Sequence, residues 1–117
     1  MKVVYIAHPI GGDVEMNLGK IRDIVRWVNL REKDVIPFVP YYCDVVSLDD
    51  DNPLERAKGF KNNLYLIQYC DELRLYGDKI SKGMIVEIER AKELQIPIIP
   101  MSEETMIGWE LFCFNSL

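Results

Sequence analysis

The sequence predicts a single α/β domain, a three-layer sandwich around a mostly parallel sheet of four to five strands. Two observations predict this fold. Short runs of β-branched and aromatic residues alternate with longer segments of helical periodicity, and the connections between them are short. The 117 residues, 49% hydrophobic and 28% charged, suit one domain with its own core. Right-handed crossovers would then make neighbouring strands parallel and cover both faces with helices.

The first strand and the first helix have clear signals. Lys2 to Ala7 (KVVYIA) has the length and content of a buried strand. His8-Pro9-Ile10-Gly11-Gly12 then breaks the pattern, and Asp13 is a helix cap. The apolar residues of the helix recur every three or four positions, at Val14, Leu18, Ile21, Val25 and Val28.

A second strand and a second helix follow. The strand is Asp34 to Val39, and Pro37 indicates either an edge of the sheet or an early end of the strand. We predict a loop over residues 40–52 that ends in Asp49-Asp50-Asp51-Asn52, a solvated acidic run with Asn52 as helix cap and Pro53 as first helical residue. The predicted apolar stripe of this helix is Leu54, Ala57, Lys61, Leu64 and Ile67, with only Lys61 out of pattern.

The last elements are a strand, a helix, a strand and an apolar tail. Glu72 to Tyr76 is the third strand, a helix runs from Ser81 to about Gln95, and Ile96 to Pro100 is the fourth strand. The tail contains Trp109, Phe112 and Phe114 and is apolar enough to dock on the body or on a partner. The whole is a small Rossmann-like (flavodoxin-like) domain, in which ligands bind outside the carboxyl ends of the strands.

Composition and charge exclude several classes of function. The formal net charge of -5 argues against a partner that is a nucleic-acid polymer. Three cysteines and one histidine indicate neither a disulfide framework nor a metal site, so we expect no metal and no cofactor. No signal peptide or membrane-length apolar run is evident, so we expect a cytoplasmic protein without a membrane partner.

The third predicted helix contains the first candidate site. Ser81 caps it, so backbone N–H groups and the positive end of the helix dipole are free to bind an anion, and Gly83 permits close approach. Glu87 falls on the apolar arc of this helix, whereas Glu89 and Glu93 fall on the solvated side. An inward carboxylate needs a partner or a purpose, so Glu87 is either a structural ion-pair residue or a catalytic one.

The turn after the first strand is the second candidate site. Gly11 and Gly12 could wrap a phosphate or a ribose, or could simply form a tight turn. His8 at the strand end could bind phosphate or act as an acid, although such histidines are often structural. Tyr5 fits a core position as well as a site position.

These segments resemble the nucleoside 2-deoxyribosyltransferase superfamily, and within it a phage- and prophage-associated branch. The resemblance rests on residues 5–12 (YIAHPIGG), the strand entry at residues 71–73 (DEL), the turn Gly77-Asp78 and residues 81–87 (SKGMIVE), and it covers residues 3–99. It implies one nucleoside 2-deoxyribosyltransferase-like domain over residues 1–117.

The resemblance also implies roles for single residues. Glu87 matches the nucleophile that forms a covalent ester with the sugar. Ser81 matches a serine that contacts the 5′-phosphate in deoxynucleoside monophosphate N-glycosidases, and Gly11-Gly12 resembles their first turn. Tyr5, Asp78 and Gly83 join the substrate-binding set. Asn63 stands where the superfamily usually has an aspartate that helps to protonate the leaving base, and asparagine cannot act as an acid, so His8 or Asp78 would have to substitute.

Three hypotheses follow. The first is an enzyme that cleaves or transfers the N-glycosidic bond of a nucleoside or nucleoside 5′-monophosphate, with catalytic residues Glu87, Asn63 and His8. The second is a non-catalytic nucleotide-binding module on the same fold, which Asn63 favours, and the third is an interaction protein that assembles through its tail. Because related sites are completed by a neighbouring subunit, we expect a homodimer or larger homo-oligomer to which residues 101–117 contribute.

Overall fold

The computed structural model describes residues 1–49 and 51–115, which form five helices and four strands. In chain order these are β1 (Lys2–Ala7), α1 (Val14–Arg31), β2 (Val35–Phe38), α2 (Tyr41–Ser47), α3 (Pro53–Ile67), β3 (Glu72–Leu75), α4 (Lys82–Glu93), β4 (Ile98–Pro100) and α5 (Glu103–Asn115). The strands lie in the order β2-β1-β3-β4, and every pair is parallel. The predicted fold class is confirmed, and β2 lies at an edge, as Pro37 indicates.

The side chains of the sheet point alternately towards two helical layers. On one face, the Tyr5 ring lies 5.9 Å from the Tyr41 ring of α2, and its hydroxyl contacts Glu87 of α4. On the other face, Arg74 of β3 pairs with Glu32, the residue that follows α1. The sheet is therefore sandwiched between α1 and the layer that contains α2 and α4, which gives the predicted three layers.

Three helices begin at the predicted caps. The side chains of Asp13, Asn52 and Ser81 accept hydrogen bonds from first-turn N–H groups at 3.1, 3.0 and 3.3 Å. Pro53 occupies the first turn of α3, where the proline lacks only an N–H that would have no partner inside the helix. These caps fix where α1, α3 and α4 begin, at the carboxyl edge of the sheet.

The segment predicted as a loop, residues 40–52, contains the helix α2. Its first residue, Tyr41, is buried, and the Tyr41 hydroxyl donates to the Ile6 carbonyl at 2.5 Å. Seven residues show too little periodicity to predict a helix, and α2 has no side-chain cap. Packing of Tyr41 on the sheet therefore stabilises a helix that local sequence does not indicate. In the acidic run that follows, Asp49 and Asp51 are exposed, and Asp50 lies outside the described residues.

The apolar stripe predicted for α3 is wrong in its first half. Leu54 is 82% exposed, and the buried residues are Gly59, Asn63 and Ile67. The physical reason is α2, which packs on α3 at Gly59, where an added Cβ would lie 3.6 Å from the Leu48 side chain. Because α2 covers the side of α3 that contains Gly59 and Asn63, these two residues are buried and Leu54 is exposed.

The tail forms α5 and docks on the domain. Trp109 and Phe112 pack against the core, and their rings stack at 5.7 Å. Phe114 is 72% exposed and lies beside other exposed apolar residues of this helix, namely Met106, Ile107 and Leu111. No helix among the described residues is long and apolar enough to cross a membrane.

Candidate functional site

Glu87 lies inside the domain, on the apolar arc of α4. Met84, Ile88 and Ala91 share its side of the helix and are buried with it. Glu89 is exposed, as the helical spacing predicts. The structure therefore confirms that one glutamate of α4 points inward.

The partner of Glu87 is a phenol rather than a cation. The Tyr5 hydroxyl donates a hydrogen bond to Oε2 of Glu87, and no residue that the structure describes forms an ion pair with this carboxylate. Burial raises the pKa of Glu87 to about 7, and the hydrogen bond from Tyr5 opposes the rise. Both protonation states of Glu87 are therefore populated at neutral pH.

Tyr5 is held in place by two aromatic neighbours. Its ring meets the Phe38 ring edge-on at 6.4 Å and the Tyr41 ring at 5.9 Å. Burial raises the pKa of Tyr5 and of Tyr41 well above its usual value, and the negative charge of Glu87 raises both further. The Tyr5 hydroxyl therefore stays protonated and donates. Tyr5 is thus a core residue, and it also contacts Glu87.

The capped end of α4 lies above Glu87. Ser81 is half-buried, and its hydroxyl caps the helix. Gly83 and Glu87 are four residues apart and so share a helix face. The position of a Cβ on Gly83 lies 3.5 Å from the ring of Phe60 in α3, so the space beside this glycine holds an aromatic ring.

Phe60 is a site residue that the sequence analysis missed. Phe60 is 38% exposed, and its ring lies beside Gly83, in the first turn of α4. Its spacing could have identified it, because Phe60 precedes Asn63 by three residues and both therefore lie on one side of α3. An exposed ring at this point offers a flat surface for stacking.

Asn63 is buried, and the oxygen of its side chain has no hydrogen-bond partner. This residue lines a cavity of about 400 Å³ between α2 and α3, together with Pro40, Asp44, Lys61, Asn62, Tyr65 and Leu66. A buried carbonyl without a donor costs free energy. The unpaired oxygen of Asn63 is itself buried beneath the wall of this cavity.

The turn after β1 combines a buried histidine with two exposed glycines. Nδ1 of His8 donates to the Pro9 carbonyl at 2.6 Å, and burial lowers the pKa of His8 while this hydrogen bond opposes the shift. Gly11 and Gly12 face open space, and Gly12 has a φ of +94°, which favours glycine. His8 is therefore neutral at neutral pH, beside a turn whose backbone a ligand can reach.

Asn17 fixes this turn and was also missed. It is buried in the first turn of α1, and its amide donates to the Ile10 carbonyl at 2.9 Å and to the Gly11 carbonyl at 3.3 Å. The signal in the sequence is a polar residue next to Leu18 on the inward side of α1. A buried amide of this kind usually has backbone groups to bind.

The turn after β3 packs directly against the turn after β1. Gly77 has a φ of +92°, and a Cβ at this position would lie 2.7 Å from Cδ of Pro9 and 3.7 Å from Nε2 of His8. Asp78 follows and is exposed. The structure thus brings His8, Gly77 and Asp78 together at the carboxyl edge of β1 and β3.

Some of the predicted site residues fall in two groups. Tyr5 and Glu87 are bonded to each other, and His8 packs beside Gly77 and feels the charge of Asp78. Among residues 1–49 and 51–115, no hydrogen bond connects Asn63 or His8 with Glu87, and no cluster of three or more His, Cys, Asp or Glu side chains could hold a metal ion.

Comparison with models of known protein families assigns the chain to a family. Residues 2–101 match the family model DUF7768, described as a domain of unknown function. The chain belongs to the DUF7768 family. No curated protein matches the sequence of this DUF7768 chain.

Solved structures share the fold of this DUF7768 chain. A 2-deoxyribosyltransferase from the psychrotolerant bacterium Bacillus psychrosaccharolyticus is 20% identical, with a TM-score of 0.63 over 84% of this chain and 70% of that one. A 2-deoxyribosyltransferase from Leishmania mexicana is also 20% identical, with a TM-score of 0.59 over 87% of this chain and 65% of that one. The DUF7768 chain thus spans about two thirds of these enzymes, and the resemblance predicted from sequence is confirmed for the fold.

Proposed function

We propose that this DUF7768 protein cleaves or transfers the N-glycosidic bond of a nucleoside or nucleoside 5′-monophosphate, with Glu87 as the nucleophile. The observation that carries the proposal is the burial of Glu87 without a cation, against the phenol of Tyr5. A carboxylate in such a place costs free energy, and functional sites are where proteins keep such groups. The fold shared with 2-deoxyribosyltransferases gives independent support.

The proposed reaction has two displacements at the anomeric carbon. An oxygen of the Glu87 carboxylate bonds to C1′ while the C1′–N bond breaks, and the bonding electrons leave with the base, which takes up a proton. A nitrogen of a second base, or water, then bonds to C1′ and releases the Glu87 carboxylate. The nitrogen or water that attacks gives up a proton, so protons balance over the cycle.

The capped end of α4 and the first turn would bind the rest of the substrate. The first-turn N–H groups behind Ser81 suit a 5′-phosphate, because they carry the positive end of the helix dipole. The open backbone at Gly11 and Gly12 suits a sugar or phosphate oxygen. Gly83 and Asp78 complete the proposed substrate-binding set.

The base side of the site would be formed by Asn63 and His8. The unpaired oxygen of Asn63 suits an N–H of a nucleobase, and the exposed ring of Phe60 suits stacking on its face. Asn63 cannot supply the proton that the leaving base needs. His8 would have to take up a proton before it could supply one, because its pKa is lowered, and Asp78 is the other candidate.

A second candidate function is a non-catalytic nucleotide-binding module. Asn63 in place of an acid favours this alternative. A pKa of about 7 favours it as well, because a large share of Glu87 is then protonated at neutral pH, and a protonated carboxyl is a poor nucleophile. Such a module would bind nucleotides through the same turns without releasing the base.

A homodimer, or a larger homo-oligomer, is part of the proposal. α5 is apolar on two sides, because Trp109 and Phe112 pack inward while Met106, Leu111 and Phe114 are exposed. A helix that is apolar all round is normally buried. Light scattering coupled to gel filtration would test it, since a monomer at high concentration would contradict this part.

The deciding experiment is release of free base from a panel of deoxynucleoside monophosphates and nucleosides, measured by chromatography. The wild type is compared with Glu87→Gln and with Glu89→Gln, an exposed glutamate of the same helix. We expect release that Glu87→Gln abolishes and Glu89→Gln preserves. If no base is released but nucleotides raise the melting temperature, the binding module is correct. If nucleotides neither react nor bind, both proposals fail.

A further inference from the structure

The hydroxyl of Thr105 connects α5 with the turn that follows β3. Thr105 is 1% exposed, and its Oγ1 donates to the Gly77 carbonyl at 2.6 Å. Since this hydroxyl has only one hydrogen, the 2.6 Å contact between Ser102 Oγ and Thr105 Oγ1 is a donation from the serine. The result is a chain of two hydrogen bonds from Ser102 through Thr105 to the backbone of Gly77.

α5 is itself well anchored. Ser102 caps it, because its Oγ accepts the N–H of Thr105 at 3.1 Å. The ammonium of Lys92 in α4 lies over the rings of Trp109 and Phe112, at 5.7 and 5.8 Å from their centres. Thr105 is therefore held by a fixed helix rather than by a loose tail.

A second contact points to the same turn. Gly108 follows Thr105 by three residues and lies on the same side of α5. A Cβ on Gly108 would lie 3.8 Å from the carbonyl oxygen of Asp78 and from Cα of Lys79. Thr105 and Gly108 of α5 therefore contact three consecutive residues of the turn, 77–79.

The other side of this turn touches the first turn of the site. A Cβ on Gly77 would lie 2.7 Å from Cδ of Pro9, so the proline ring packs so closely on the Gly77 backbone that no larger residue fits without a shift. His8 precedes Pro9 and is buried. The turn at residues 77–79 is thus clamped between α5 and the His8–Pro9 segment.

We infer that Thr105 is a positioning residue, whose hydroxyl sets the placement of the Gly77–Asp78 turn and, through Pro9, of His8. This inference rests on the proposed function of that site. Thr105 and Ser102 lie beyond residue 101, where the family match ends, so the clamp is formed by a segment outside the matched domain. The side of the site that holds His8 and Asp78 then depends on the docking of α5.

The test compares Thr105→Val, which removes the hydroxyl at nearly constant volume, with Thr105→Ser, which keeps it. Ile107→Val is the matched control, because residue 107 is on the same helix but 56% exposed. The first readout is amide hydrogen exchange of residues 76–80 by mass spectrometry. The second is the ring signal in NMR spectra of His8, the single histidine of the chain.

We expect Thr105→Val to speed exchange at residues 76–80 about tenfold, because the Gly77 carbonyl loses its buried donor. The His8 ring signal shifts in this variant, and both effects are absent from Thr105→Ser and Ile107→Val. Unchanged exchange and an unchanged His8 signal in Thr105→Val would overturn the inference, even if its melting temperature falls. If Thr105→Val does not fold, Ser102→Ala removes the hydroxyl contact to Thr105 and the cap of α5 but keeps the bond from Thr105 to Gly77, and it must give a smaller change in the same direction.

Neither readout needs a substrate, so failure of the inference and failure of the proposed function are separate results. If the panel identifies a substrate, Thr105→Val should raise KM and lower kcat, each several-fold, since the turn places groups proposed both to bind the nucleotide and to protonate its base. Equal KM values for Thr105→Val and Thr105→Ser would contradict a role in binding.

Discussion

Glu72 and Glu87 are both buried glutamates against the same sheet, yet their surroundings are opposite. Glu72 is 2% exposed and lies 2.6 Å from Nζ of Lys2 and 3.4 Å from a guanidinium nitrogen of Arg74. Arg74 is also bonded to both oxygens of Glu32, at 2.7 and 2.9 Å. Glu87, behind the other face, has the Tyr5 phenol instead of a cation.

The difference separates a structural carboxylate from a functional candidate. A buried charge that is paired within a network needs no further explanation, because neighbouring charges compensate its lost hydration. The pKa of Arg74 is raised by the hydrogen bonds that it donates to Glu32, which keeps this network charged. Glu87 lacks such compensation, and its raised pKa is the consequence. Burial alone therefore does not separate the two glutamates, whereas burial without a cation makes Glu87, and not Glu72, the candidate for a functional carboxylate.

The largest change in stability is expected when the ion pair between Glu72 and Arg74 is broken. Arg74→Met should lower the free energy of unfolding by about 3–5 kcal/mol, because Glu72 is left buried without its arginine. Urea denaturation at pH 7 measures this change. Glu93→Gln is the control, since it breaks an exposed pair with Arg90 and should cost at most about 1 kcal/mol. Equal losses in the two variants would mean that the network at Glu72 is no more than a surface contact.

Glu87→Gln should act in the opposite direction. The pKa of Glu87 is about 7 in the folded protein against 4.5 ordinarily, so the folded state binds more protons between these values and stability falls as pH rises through that window. Removing the ionisation should therefore stabilise the protein by about 3 kcal/mol above pH 7 and change little below pH 4.

Urea denaturation from pH 4 to pH 8 measures this difference. Glu89→Gln on the exposed side of α4 is the matched control and should follow the wild type. A wild-type stability that rises from pH 4.5 to pH 7 relative to Glu87→Gln would show that Glu87 has a favourable charged partner after all.

Tyr5→Phe tests what the phenol contributes to Glu87, because it removes the hydrogen bond between them. The hydrogen bond from Tyr5 lowers the pKa of Glu87, so its loss moves this pKa above about 7. We expect the stability at pH 8 to fall by about 1–3 kcal/mol, as for a lost hydrogen bond to a charged group. In a working enzyme, the acidic limb of the pH–rate profile should move to higher pH. If the acidic limb of the Tyr5→Phe profile stays at the wild-type pH, the Tyr5 phenol does not influence the titration of Glu87.

The smallest effect is expected at the exposed end of the network. The side chain of Lys2 is 51% exposed, so Lys2→Met should cost about 0.5–1 kcal/mol, and less at high salt. Unfolding in low and high salt measures both values. A loss as large as that of Arg74→Met would mean that Lys2, rather than Arg74, neutralises Glu72.

Sequence alone could predict the elements whose signals are local. Residues within one or two helical turns are enough to predict the caps at Asp13, Asn52 and Ser81. They are also enough to predict that the Glu87 side chain points inward. By contrast, α2 is held by packing of Tyr41 on the sheet, which no local pattern shows. The inward side of α3 depends on α2, so the error at residues 40–52 also produced the error at Leu54.

The same limit applies to the site. Glu87 and Tyr5 could be proposed from periodicity and resemblance, but their contact joins residues far apart in the chain. Phe60, Asn17 and Thr105 were missed because each acts on the backbone or side chain of another element. Sequence could predict which groups are present, and tertiary structure determined which of them meet.

The contact between Tyr5 and Glu87 spans 82 residues, and the one between Val3 and Asp71 spans 68. In a parallel sheet such contacts close long loops, whose entropy must be lost before the contacts form, so this topology has a high contact order and folds slowly. The proton affinity of Glu87 can rise only when β1, β3 and α4 have come together. Uptake of that proton near pH 6 would therefore report when these three elements have assembled and would give a refolding experiment a probe located at Glu87 itself.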